Sequence, residues 1–169
     1  MVHTTSQSPK PNQVEITLET TYEAPEPIEK IDVTPEGILY TEDELYCLAA
    51  IIYNEAGGDA CTDEQRRMVG YVVLNRVNDY RFPDSIRGVI EAPGQYQGMG
   101  QGVYFLDRGN PEGEAHAIQR AYSIARELLE NRHNIPIPSN VLFQAAFAQG
   151  VGVYTIVGNT YFCYASEVN

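Results

Sequence analysis

"TEDELYCLAAIIYNEAGG", residues 41–58, is the stretch on which the fold turns. Thr41 with Glu44 three positions later is a capping box: the threonine hydroxyl accepts from a backbone N–H one turn on, and the glutamate reaches back to the cap. Leu45, Leu48, Ala49, Ile52 and Ala56 then recur at three- and four-residue spacing, which predicts a helix with one apolar stripe. Gly57 and Gly58 supply the stop. Immediately before them stands Glu55. At 100° per residue it lies roughly 80° from Leu45, the middle of the stripe, and so on the border of the buried face. Desolvation and the negative end of the helix dipole both disfavour a carboxylate there. No lysine or arginine lies one turn away along the helix to oppose them. The pattern fits either a solvated helix end or an acid kept protonated beside a pocket.

Working outward, "TDEQ" at Thr62 to Gln65 is a second capping box, and Val69, Val72, Val73 and Val77 give the helix that follows a core face ending near Asn78 and Asp79. "RFPDS" leads into a short helix over Ser85 to Glu91. Pro93 to Gly113 is glycine-rich and irregular, the kind of long connection that is usually functional or mobile. "NPEGE" starts another helix with Pro111 in its first turn. Its core face is Ala115, Ile118, Ala121, Tyr122, Ala125, Leu128 and Leu129. After "IPIPS" the period drops to two, predicting strands at Val141–Ala148, Val153–Val157 and Thr160–Ala165, the last two joined by a Gly158-Asn159 hairpin turn. The expected class is α+β, mainly α, with a small C-terminal antiparallel sheet.

Residues 1–36 read differently, holding five of the ten prolines and seven acids against two lysines with no sustained apolar period, which is the composition of an extended acidic arm or linker. The domain is therefore placed at 37–169. A formal charge of −12 argues against non-specific nucleic-acid binding and against anionic lipid surfaces. The longest apolar run, Leu45 to Tyr53, falls far short of the roughly 20 residues that span a bilayer. After Met1 and Val2 come His, Thr, Ser and Gln, so no signal-peptide pattern is visible. Cys47, Cys61 and Cys163 have neither zinc-ligand spacing nor an even disulfide framework, and free thiols are expected over a Cys47–Cys61 bridge. Arg76, inside an apolar stripe, reads as structural, its stem packed and its head on carbonyls or an acid. His116 and His133 are expected at the surface. No nucleophile elbow or Cys-His pair occurs.

The order "LAAIIYNEAGGDACTDEQRRMVGYVVLNRVNDYRFPDSIRGVIEAPGQY" resembles the cell wall hydrolase family of spore-cortex-lytic enzymes, the SleB/CwlJ type. The likeness continues more weakly through Tyr122 to Leu129 and "FQAAFAQGVGVYTIVGNTYFCY", covering about Leu45 to Tyr164. It implies a lysozyme-like, mainly helical fold acting on peptidoglycan, extracytoplasmic and cell-wall associated, with the glutamate of "NEAGGD", Glu55, as catalytic acid. Three positions depart from the family pattern: Gly57-Gly58 replaces an Arg-Gly pair, Asp59 a glutamate, and Thr160 a histidine common among relatives.

A protonated glutamate can donate to a glycosidic oxygen. Two-carboxylate hydrolysis needs a second acid at a set separation. Asp59, Asp63, Asp84 and Asp107 are the candidates, and none has a convincing place across a cleft. The resemblance implies a lytic transglycosylase route, in which one carboxylate serves twice without metal or cofactor. Gln95 and Tyr96 are expected on the cleft wall, an amide for N-acetyl or hydroxyl groups and an aromatic face for a sugar ring. Gln144, on a strand, is a further candidate substrate contact, with Tyr104 and Tyr161 weaker. A hydrolytic muramidase and a non-catalytic glycan-binding module stay open. The expected partner is the peptidoglycan glycan strand, bound by a monomer.

Overall fold

The structure is a computed structural model that describes residues 31–33, 39–96, 99 and 111–166. Two short strands come first. β1 (Ile31–Val33) pairs antiparallel with β2 (Leu39–Thr41), Ile31 opposite Thr41 and Val33 opposite Leu39. β1 falls inside the segment whose composition reads as an arm or linker.

Thr41 then caps α1 (Glu42–Ala56) as expected. Its side chain accepts from Glu44 N, and Glu44 Oε2 accepts from Thr41 N at 2.9 Å. The expected single stripe understates this helix. Cys47, Ala50, Ile51 and Tyr53 are buried along with Leu45, Leu48, Ala49, Ile52 and Ala56. A helix covered on nearly every side lies at the centre of the core rather than along its edge.

The covering elements follow in order: α2 (Asp63–Val77), α3 (Ile86–Glu91) and α4 (Pro111–Glu130) all pack against α1, and α4 most extensively. Gly70 of α2 marks the closest approach. A methyl group there would lie 2.1 Å from Leu128 Cδ1 of α4 and 3.3 Å from Ile52 Cδ1 of α1. The core face read for α4 holds from Ile118 onward, while Ala115 is exposed.

Three strands complete the chain: β3 (Val141–Ala145), β4 (Gly152–Val157) and β5 (Thr160–Tyr164), in the antiparallel order β3-β5-β4. Gly158 carries the positive φ of the β4–β5 turn, +61°, and Asn159 has none, the pattern of a II′ turn. The architecture is thus mainly helical α+β with a small C-terminal antiparallel sheet. Among the described residues, no helix is long and apolar enough to cross a membrane. All three cysteines are free, Cys47 and Cys163 buried and Cys61 half-buried.

Candidate active site

Four buried polar side chains make α2 the element that positions the site. Gln65 did not close the second capping box. Thr62 accepts from Gln65 N, but the Gln65 side chain turns away, and its Nε2 donates to Thr160 Oγ1 at 2.9 Å. That bond ties the β4–β5 turn to the start of α2. Arg66 donates to Gly58 O and Cys61 O, fixing the turn that leaves α1. Asn75 Nδ2 donates to Pro138 O and Val141 O, and Arg76 Nε donates to Leu142 O at 2.8 Å. β3 is thereby pinned across from the C-terminal end of α1. Each of these groups would carry a desolvation penalty if left unpaired, so their bonds specify where the sheet sits.

The result is an open hollow of about 210 Å³ lined by Glu55, Gln144, Ala145, Ala146, Asn159 and Thr160. Gln144 Nε2 points at Glu55 Oε2 across it, at a long 3.4 Å. Glu55 keeps an exposed outer surface. Even so, burial is the largest influence on its proton and holds its carboxyl above the ordinary glutamate value of 4.5, opposed by the Gln144 bond and by the charge of Arg76. The two observations agree for a carboxyl in an open hollow, reached by solvent from one side and crowded by protein on the others. The cation that sequence spacing did not find along α1 comes from α2.

Glu55 owes its position to the way α1 ends. The helix is closed by Gly57 in ordinary right-handed conformation, φ −78°, not by a left-handed cap. A Cβ at Gly57 would sit 2.3 Å from Tyr53 O, so this backbone leaves no room for a side chain there.

Gln144 and Glu55 are therefore brought together. Tyr96 is placed differently from a wall residue. It is 8% exposed, its ring lies against the Arg76 guanidinium with 5.2 Å from Cζ to the ring centroid, and its hydroxyl is buried with no partner among the described residues. Desolvation pushes that hydroxyl up to about 12. Tyr96 thus packs with Arg76 below the surface instead of presenting a face to a sugar. Gln95 is exposed in the turn after α3, its N–H donating to Ala92 O, and it does not line the hollow. Tyr104 and Asp107 lie outside the described residues.

The other candidate carboxylates are elsewhere. Asp63 is held by Arg120 and Arg66, which lower its pKa. Asp59 and Asp84 line other hollows. His116 and His133 are exposed. A larger hollow, about 660 Å³, lies between the start of α1, the end of α2 and the turn after α4. Glu44 lines it, eleven residues from Glu55, about 16 Å along the helix. There Glu44 is paired with Arg132, and Asn75 with backbone carbonyls. Asn159, Ala145 and Ala146 were not singled out from the sequence. They reach the site only through the β3–β5–β4 pairing, which no local pattern encodes.

A family model described as Cell Wall Hydrolase matches residues 62–163. Glu55 lies seven residues before that match begins. Spore cortex-lytic enzymes of Oceanobacillus iheyensis and Halalkalibacterium halodurans are each 32% identical to the chain, over 48% and 47% of its length. The matched stretches are 28% and 23% of those relatives, so the chain spans about a quarter of their length. No solved structure matches.

Proposed function

Because this chain belongs to the cell wall hydrolase family, we propose that it is a peptidoglycan-degrading glycosidase with Glu55 as its general acid and base. The bond cleaved is the β-1,4 link from N-acetylmuramic acid to N-acetylglucosamine. The observation that carries this reading is the Glu55 carboxyl itself: crowded enough to favour its proton, open on one side, and faced by Gln144 across a hollow. An acid at a helix end facing a small sheet is also the lysozyme-like arrangement that the sequence resemblance implies.

The step favoured is lytic transglycosylation. Protonated Glu55 gives its proton to the bridging oxygen as the C1–O bond breaks, and the bond's electron pair leaves with that oxygen. The resulting Glu55 carboxylate takes the proton of the muramic C6 hydroxyl, whose oxygen bonds to C1 and closes a 1,6-anhydro ring. Glu55 ends protonated, as it began, and no water is consumed. This route needs one carboxylate, and among the described residues Glu55 is the acid lining the hollow. A two-carboxylate hydrolase would need a partner placed across the cleft. Gln144, which lines the hollow and donates Nε2 to Glu55, is the substrate-facing amide. Gln95 is retained as an outer contact for a longer strand. Residues 37–169 form the catalytic domain, and its work is outside the membrane, on the wall.

Purified sacculi digested with the protein, with soluble products weighed by mass spectrometry, test the proposal. Products lighter by one water than hydrolytic muropeptides are expected. Water-added products replace the transglycosylase route with hydrolysis. Binding without release overturns the enzyme altogether.

A further inference from the structure

We infer that the outer face of the three-stranded sheet is an extended binding surface for the glycan strand, taking the sugars that run on from the bond held at Glu55. The inference rests on the reading of the Glu55 hollow as the place of cleavage and carries that site onward over Ala145, Tyr161 and Ile156.

Strand pairing places this face. Ala145 of β3 stands opposite Tyr161 of β5, and Tyr161 opposite Ile156 of β4, so the three make one row across the sheet. Directly opposite residues share a face, and the neighbouring row of Gln144, Phe162 and Thr155 points the other way. Phe162 is fully buried in the core, which makes the Ala145 row the outward one. Cys163, two residues beyond Tyr161 and on the same face, accepts from Gln149 N, so the β3–β4 connection folds over that end of the face. At the other end Ile156 is 53% exposed. The row starts at the hollow. Ala145 lines it, and the adjacent pair, Val157 with Thr160, ends on Thr160, which lines it too. At two strand spacings the row runs about 10 Å, and one β-1,4-linked sugar covers about one such spacing.

The make-up of this surface selects its occupant. Among the described residues, four of the five large apolar side chains left exposed, Phe147, Val151, Val153 and Ile156, fall on β4 and the connection leading into it. β3 and β4 are both edge strands, which ordinarily carry charges that prevent pairing with another chain. Here residues 141–165 hold no Asp, Glu, Lys, Arg or His, in a chain whose formal charge is −12. The surface offers apolar faces, amides and hydroxyls and no ion. That is the complement of an uncharged pyranose strand, whose rings present C–H faces and whose edges present hydroxyl and N-acetyl groups. Tyr161 supplies both parts, a ring for a C–H face and a hydroxyl for a polar edge. A second copy of the chain would bring its own charge of −12 to the contact, and an anionic lipid surface would bring negative charge as well, so repulsion disfavours both.

The test is a backbone-amide NMR titration of the full chain carrying Glu55→Gln, which stops turnover, with N-acetylglucosamine oligomers two and six sugars long. The disaccharide should move the amides of Gln144 and Asn159 in the hollow, and the hexamer should move these together with Tyr161 and Ile156. Adding Tyr161→Ala should weaken hexamer binding by about tenfold, the scale of one stacked ring, and Ile156→Ser should weaken it to a lesser degree. Ile156 is exposed, so its variant keeps the fold even where Tyr161→Ala does not. Hexamer shifts confined to the hollow, or a hexamer affinity unchanged in Ile156→Ser, overturn the inference and leave the reading of Glu55 standing. Shifts along the row with none at the hollow support a glycan surface and overturn Glu55 as the place of cleavage. Row amides that move with protein concentration in the absence of sugar, with a dimer in sedimentation, overturn the inference in favour of a second copy.

Discussion

Glu55→Gln is the substitution that isolates the proton, since glutamine matches glutamate in shape and can still pair with Gln144 but has nothing to donate. A positioned acid or base contributes about 10²–10⁴-fold to rate. Among the described residues no other acid lines the hollow, so no neighbour can take over either proton transfer. The loss should therefore approach the upper end, about 10⁴-fold, or about 5 kcal/mol in the barrier. Stability should move the other way. The folded state raises the proton affinity of Glu55 above its ordinary value of 4.5. Its contribution to stability is therefore full below that value and is lost as pH rises through the folded value. Glutamine never ionises, so the variant should match wild type near about pH 4 and melt at or above it near about pH 7. Sacculus clearing followed by turbidity gives the rate, and calorimetry at the two pH values gives the stability. Activity within tenfold of wild type would refute the assignment. A variant less stable than wild type at neutral pH alone would show that the fold favours the carboxylate, and the reasoning about burial would fail.

Gln144→Leu removes the donor that lowers the Glu55 pKa, so the alkaline limb of the pH–rate profile should move upward while the maximal rate falls by about tenfold, within the range for a lost bond to a charged group; an unchanged profile would place Gln144 outside the site. Gly70→Ala forces a methyl group into Leu128 between α1, α2 and α4, and urea unfolding should show a loss of about 1–3 kcal/mol, the range for overpacking, where an open site would show a gain from helix propensity. Cys47, pushed up to about 12 by burial, should resist a thiol reagent at mildly alkaline pH until the protein unfolds, whereas half-buried Cys61 should react in the folded state. Equal labelling rates for the two would contradict the burial of Cys47.

Local chemistry was legible wherever near neighbours in sequence are also near neighbours in space. The Thr41–Glu44 box, the Thr62 cap, Pro111 at the first position of α4 and the Gly158 turn all lie where the residues indicated. Where a local rule met a tertiary demand, the tertiary demand won. The Gln65 side chain left the capping box for Thr160, ninety-five residues away. Tyr96, an aromatic suited to a sugar face, turned inward to cover Arg76. β1 formed within a stretch whose composition reads as an arm, through cross-strand pairing that a composition average does not register.

The sequence by itself determined the helices, their caps, the hairpin and the position of one glutamate at the end of an apolar run, because periods of 3.6 and 2 and the capping bonds act over only a few residues. The tertiary structure alone decided what that glutamate meets. Gln144 stands 89 residues from Glu55, and Arg76, on a different helix and bonded to a carbonyl 66 residues further on, acts on it through its charge. Such meetings depend on how α2 pins the sheet against α1, and the proton affinity of an acid is set by the charges, dipoles and solvent around it in space, not by its neighbours along the chain.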